Sequence, residues 1–492
     1  MIRRRTVISI IGLTLQGLAL LMLLPLGISI LYGEWDSFKA FAITVLLSWL
    51  TGTFAYRARR EGSLEHLSRM EGISVAVLSW LFIAAFGSIP YICFGLSPDD
   101  AFFESMSGFT TTGSTILIDF SVLNDSMFFF RGYTHFVGGI GILVLFVAIF
   151  PRLALSGRQL FFAESSAQDK LTPRIKDTAR GLLGWYILLT LLCFLLLMWT
   201  GMSPNHAIAN SFATLGTGGL SPNPQSIMGY NSKAAEWILI FFMFVAGSNL
   251  ILQLKFITGQ DRKAFFNDPE IKAYAFIVLS TSLLLALIGF YWKTPQGTHL
   301  SGFETILDSL RTALFQNISV MTTTGAATQD FNLWPDMAKV TIILMMFIGG
   351  CTGSTSGGLK VGRLVLLFKY LWKMLLKNIH EKAALNVKYG KRIFTLEELN
   401  PILTFILTYF ITFFIGALLL LLLENDMIVA FSGSIACLGN VGPGFGAIGP
   451  LGSFGTLQPL SKILCSILMW AGRLEITALL IFLRPEVRKT IE

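Results

Sequence analysis

Apolar runs about 20 residues long, enough for an α-helix to cross the hydrocarbon core of a bilayer, recur along the whole chain with short polar segments between them. They lie near 6–33, 38–56, 72–96, 127–150, 180–201, 234–256, 271–292, 337–350 continuing through 359–376, 400–423 and 460–483. The pattern predicts about ten spanning helices. Four of the interruptions share a character: Thr110-Thr111-Thr112-Gly113-Ser114, Leu215-Gly216-Thr217-Gly218-Gly219, Thr322-Thr323-Thr324-Gly325-Ala326 and Gly439-Asn440-Val441-Gly442-Pro443. Their spacing, roughly a hundred residues or slightly more, is the mark of an internal repeat.

Aligning the segments on Gly113, Gly218, Gly325 and Gly442 brings Ser105, Asn210, Asn317 and Ser434 into register eight positions upstream. Each lies in about three helical turns of mixed sequence, too short to span a membrane, which predicts a re-entrant half-helix buried in protein. Inside each following long helix a pair of small residues recurs: Gly138-Gly139, Ala246-Gly247, Gly349-Gly350 and Ala471-Gly472. Such pairs let helices approach closely. The expected architecture is an all-α polytopic membrane protein: two N-terminal helices and a linker over 1–70, then four helix/pore-loop/helix repeats over 71–178, 179–268, 269–395 and 396–492, arranged around a pseudo-fourfold pore.

Composition agrees with this. At 53% hydrophobic and 13% charged residues, with a mean hydropathy of +0.67, the chain is too apolar for a soluble protein of its length. The net charge of +8 would suggest nucleic acid in a soluble domain, but the basic residues sit in alternate connections. Arg3 to Arg5, Arg57 to Arg69, Arg152 to Arg180, Arg262-Lys263, Lys360 to Arg392 and Arg484 to Lys489 fall on one side if each apolar run spans once. Both termini are then cytoplasmic and no nucleic-acid partner is expected. Cys93, Cys193, Cys351, Cys437 and Cys465 show no paired spacing, so neither a disulfide framework nor a zinc site is expected.

Backbone-lined loops gathered on one axis suit a cation. A ring of carbonyl dipoles can replace the water that the ion sheds without adding fixed charge, and glycine lets the backbone turn those carbonyls inward. On these residues the whole chain resembles the Trk/Ktr/HKT superfamily of potassium transporters, within it the bacterial TrkH branch, which the two extra N-terminal helices favour over KtrB. The resemblance implies potassium as the ion and homodimers with one pore per subunit. It implies ion coordination by Thr111, Thr112 and Gly113; Gly216, Thr217 and Gly218; Thr323, Thr324 and Gly325; and Asn440, Val441 and Gly442. Sodium-selective HKT members carry serine at the first glycine position, where this chain has Gly113.

One helix carries a break midway, Gly349-Gly350-Cys351-Thr352-Gly353-Ser354-Thr355-Ser356-Gly357-Gly358. Its poor helix propensity predicts an irregular loop that lines or obstructs the pore; in TrkH-like proteins the matching loop is the intramembrane gate. Arg473 follows the last small pair and is aligned with Ile140, Ser248 and Cys351. An intramembrane charge is costly and so a functional candidate, placed to repel cations or to hold the loop. Glu475 need not be its partner, and Arg131 and His135 read as packing residues.

Gly444 to Gly449 fits the G-x-G-x-x-G pattern without a preceding strand, and Gly353 to Lys360 lacks the Walker ending, so no nucleotide site is expected in this chain. An intramembrane hydrolase finds no serine-histidine spacing here, and no enzyme is expected. An alternating-access cation symporter, the remaining alternative, would be expected to carry inverted repeats. The resemblance further implies a bacterial inner membrane location, contact with lipid, and a cytosolic TrkA-like ring of nucleotide-binding RCK subunits docked on basic linkers near 152–179 and 377–398.

Overall fold

Two long helices, α1 (Arg4–Tyr32) and α2 (Trp35–Arg57), form an N-terminal hairpin. They touch backbone to backbone at Gly12 and Gly52, where a β-carbon on either glycine would lie within 2.8 Å of the other's carbonyl oxygen. In the computed structural model the described residues are 3–57, 68–144, 172–291, 303–380, 386–390 and 392–483. The basic positions at 59–60, 152–171 and 484–489 counted above therefore lie outside the described residues.

The same sequence of elements then occurs four times. The first unit has α3 (Arg69–Gly87) with its short extension α4 (Ile89–Cys93), then α5 (Pro98–Phe109) and α6 (Asp125–Val144). The second has α7 (Thr172–Trp199), α8 (Pro204–Leu215), α9 (Lys233–Gly247) and α10 (Leu250–Ile257), followed by the connector α11 (Arg262–Asn267). The third has α12 (Pro269–Tyr291), α13 (Phe303–Met321), α14 (Asp336–Ile348) and α15 (Val361–Ile379). The fourth has α16 (Leu396–Glu424), α17 (Met427–Leu438), α18 (Pro459–Arg473) and α19 (Ile476–Leu483).

The half-helices α5, α8 and α17 are 12 residues each, about 18 Å and too short to span. Local chemistry starts them: Ser97 and Ser203 precede a proline at the first helical position, and Asp426 accepts from the amides of Ile428 and Val429. The third half-helix, α13, is longer at 19 residues. Three are tied sideways to the long helix before them: Ser105 Oγ donates to Ala84 O at 2.7 Å, Asn317 Nδ2 to Val278 O at 3.0 Å, and Ser434 Oγ to Phe413 O at 2.9 Å.

Among the described residues, six helices are long and apolar enough to cross a membrane. The chain is a multi-pass membrane protein. Two inner helices expected to be continuous are broken: α9 and α10 meet at 100°, α18 and α19 at 106°. The physical causes are specific. Asn249 turns its side chain back to accept from Ile251 N and Leu252 N, starting a new helix, while Gln253 Nε2 takes the carbonyl of Val245 at 2.7 Å. In the fourth unit Glu475 sits in the left-handed region at φ 57°, which ends a right-handed helix. A hairpin of β1 (Val387–Tyr389) and β2 (Arg392–Phe394), with Val387 opposite Phe394, lies within what reads in the sequence as a basic linker.

Candidate ion pathway

After each half-helix the backbone makes the same turn. The amides of Thr112, Gly218, Thr324 and Val441 each reach back five residues at 2.8 Å, to Ser107, Ala213, Ser319 and Ala436. The residues just before them, Thr111, Thr217, Thr323 and Asn440, have φ of 53°, 54°, 58° and 54°. Those just after, Gly113, Gly219, Gly325 and Gly442, have φ of 85°, 73°, 74° and 108°, a region that favours glycine. The second segment is thus shifted by one residue from the sequence alignment. Gly216 caps α8, Gly219 stands where Gly218 was expected, and the residue eight positions before it is Ser211, whose Oγ donates to Ala207 O at 2.7 Å. Asn210 instead donates to Tyr230 Oη at 3.0 Å.

The four glycines close a ring. A β-carbon on Gly113 would lie 1.8 Å from Gly218 O, on Gly219 1.9 Å from Thr324 O, on Gly325 2.1 Å from Val441 O, and on Gly442 2.8 Å from Thr112 O. Each unit meets the carbonyl of the next, and the fourth returns to the first. The hydroxyls of Thr112 and Thr324 bond Thr110 and Thr322 at 2.8 Å, so they tie the turn to its half-helix. Asn440 Nδ2 spans between units, to Thr112 Oγ1 at 2.9 Å and Met469 O at 3.0 Å. Above the ring lies a cavity of about 440 Å³ whose lining includes Gly113, Gly219, Gly325 and Pro443. Beside its mouth, Glu104 accepts from Ile116 N at 3.0 Å and pairs with the buried Arg131 at 2.7 Å.

Below the ring, the segment from Gly349 to Lys360 is an irregular, almost wholly buried loop. It touches the second, third and fourth units. Cys351 N donates to Gly247 O at 2.7 Å, Thr355 Oγ1 to Leu215 O at 3.0 Å, and Gly357 N to Thr323 Oγ1 at 2.8 Å. A β-carbon on Gly357 would lie 2.3 Å from Gly439 O. Within the loop, Gly350 N donates to Ser356 Oγ, Ser354 Oγ bonds both Cys351 O and Ser356 Oγ, and the left-handed Gly349, Gly353 and Gly358 allow the reversals. Arg473 reaches it from the fourth unit, Nη1 to Thr355 O at 2.8 Å and Nη2 to Gly138 O at 3.0 Å. Gly138 and Gly472 abut the equivalent carbonyls of Phe109 and Leu438, which puts Arg473 level with Gly139 rather than Ile140.

Several further residues support the loop. Glu270, in the first turn of α12, takes Thr352 N at 2.7 Å, Thr352 Oγ1 at 3.0 Å and Gly362 N at 2.8 Å on one carboxylate oxygen, Oε1. Lys360 donates to Ser356, and Arg363 on α15 pairs with Glu475. Glu475 is therefore the partner of Arg363 and not of Arg473. An acid right after the cap and proline of Asp268-Pro269 was the available clue to Glu270.

The TrkH family model, described as cation transport protein, matches residues 38–488. The chain belongs to the TrkH family. It is 33% identical to the Trk system potassium uptake protein TrkH of Salmonella typhimurium over 98% of both chains, and 34% identical to that of Vibrio parahaemolyticus over 98% of both. The crystal structure of the potassium transporter TrkH from Vibrio parahaemolyticus superposes with a TM-score of 0.89 at 32% identity, covering 99% of this chain and 100% of that one. A TrkH chain is a membrane transporter and not an enzyme.

Proposed function

We propose that this TrkH-family chain takes up potassium across the bacterial inner membrane through one central pore. The ring in which each glycine faces the next unit's carbonyl carries the reading, because four sets of backbone oxygens on one axis can replace a cation's hydration shell. Glycine at all four ring positions and the potassium named in the relatives' descriptions favour that ion. The filter residues are then Thr111-Thr112-Gly113, Thr217-Gly218-Gly219, Thr323-Thr324-Gly325 and Asn440-Val441-Gly442. The loop of Gly349, Gly350, Gly353, Ser354, Thr355, Ser356, Gly357 and Gly358, latched by Arg473, is the gate.

Both termini are cytoplasmic in this reading, the chain works as a homodimer, and a TrkA-like ring sets the gate through α15. That helix leaves Phe368, Trp372, Leu375 and Ile379 exposed, in keeping with a helix that meets another surface. Purified protein in liposomes, assayed for potassium against sodium flux with and without imposed proton or sodium gradients, tests the proposal. Potassium-selective flux without a gradient supports a gated pore; flux only with a coupling gradient supports the symporter; equal flux of both ions overturns the filter assignment.

A further inference from the structure

Gly218 is a glycine that its own backbone does not require. Its φ lies outside the left-handed region, unlike those of Gly113, Gly219, Gly325 and Gly442, and at the same place the other units carry Thr112, Thr324 and Val441. What excludes a side chain is a neighbour. A β-carbon on Gly218 would fall 2.5–2.6 Å from Nδ1, Cε1 and Cγ of the His135 ring.

His135 reaches this position from α6, which belongs to the preceding unit. One face of α6 lies directly on the second half-helix: Gly132 would meet Ala209 Cα at 2.9 Å and Gly139 would meet Gly216 Cα at 3.2 Å if either bore a β-carbon. Between these two close approaches the His135 ring projects behind the filter, fully buried, with no hydrogen-bond partner on either ring nitrogen among the described residues. Counting four residues back from Gly247, Gly350 and Arg473, as His135 is from Gly139, gives Met243, Met346 and Met469, all fully buried. Three of the filter segments thus carry a side chain and have a flexible methionine from the preceding unit at this level. The second carries none and has the flat, rigid ring of His135 from the first unit.

We propose that His135 is a specificity-determining positioning residue that occupies the missing side chain's volume and holds the Gly218 carbonyl in the ring. That carbonyl faces Gly113, so slack at His135 is transmitted to the contact between the first two units. The inference rests on the ring being the potassium filter, and it assigns to one inner-helix side chain the support of the neighbouring unit's carbonyl.

The test converts the second filter segment and the side chain behind it to the form found at the others. Full-length protein is prepared as wild type, Gly218→Thr, His135→Met and the double variant, and each is assayed in liposomes for the potassium-to-sodium flux ratio and for thermal unfolding in detergent. Gly218→Thr alone is expected to lower the flux ratio roughly tenfold, a coupling of the size that contacting residues show, and to lower the melting temperature. His135→Met is expected to lower the ratio less. The double variant is expected to recover both readouts toward wild type. A double variant no better than Gly218→Thr, or a Gly218→Thr protein indistinguishable from wild type, overturns the proposal. If wild type does not discriminate potassium from sodium, the filter assignment itself fails, while the melting temperatures still report whether the two residues share one space.

Discussion

Arg473 holds Thr355 in place: its Nη1 donates to the Thr355 carbonyl at 2.8 Å while Nη2 grips Gly138 O at 3.0 Å, so one guanidinium links the loop to the inner helices of the first and fourth units. A fork with fixed donors can hold two carbonyls at once, whereas an ammonium is a single point. Arg473→Ala is expected to raise basal potassium flux several-fold by freeing the loop and removing a positive charge near the pathway, a barrier of about 1 kcal/mol or more at intermediate dielectric. Arg473→Lys should fall between the two. Liposome flux measured without any cytosolic partner decides it; equal flux in all three proteins would remove Arg473 from gating.

Glu270 anchors both ends of the same loop through one oxygen. Replacement by alanine leaves the buried amides of Thr352 and Gly362 without an acceptor, at roughly 1–3 kcal/mol each. Glu270→Ala should therefore lower the melting temperature and raise basal flux. Glu270→Gln keeps an acceptor oxygen and should be the milder of the two by both measurements.

The register of the second segment separates two neighbouring glycines. Gly219→Ala places a β-carbon 1.9 Å from Thr324 O at a φ of 73°, and should lose ion discrimination. Gly216→Ala meets the His135 backbone oxygen at 2.6 Å at the end of the half-helix, and should cost stability first. Flux ratios and melting temperatures measured together test the order; a Gly219→Ala protein with wild-type selectivity would contradict the ring.

The Glu104–Arg131 pair is buried on both sides. Removing one partner strands a charge, typically at about 3–5 kcal/mol. Arg131→Leu should thus be more destabilising than Arg131→Leu combined with Glu104→Gln, and thermal unfolding of the two variants is the check.

Docking of a regulatory ring on the basic end of α15 predicts a salt-sensitive complex. Lys373→Gln with Lys377→Gln should weaken copurification of a TrkA-like partner, and raised ionic strength should act in the same direction. Binding indifferent to both would count against an electrostatic surface.

Much of the architecture was legible in residue order. Spans announce themselves because a lipid-facing helix must be apolar along its whole length, and the irregular loop over 349–358 because ten residues rich in glycine and serine cannot continue a helix. The breaks at Asn249 and Glu475 were not foreseen. Asn249 offered a cap signal inside an apolar run, but Glu475 offered none, since its left-handed turn is held by the ion pair to Arg363, 112 residues away.

Periodicity and spacing along the chain determined four repeats, their half-helices and the polar segments that end them, since these follow from hydrophobic length and local backbone freedom. Tertiary structure decided which glycine faces the axis. Gly216, Gly218 and Gly219 offer more than one register to local chemistry, and only the contacts of Gly219 with the Thr324 carbonyl and of Gly218 with the His135 ring select among them. The same holds for Glu270, an acid in a first helical turn like many others until the fold brings Thr352 and Gly362 to its oxygen. A ring closed between units far apart in sequence is a property of their contacts, and no segment carries it alone.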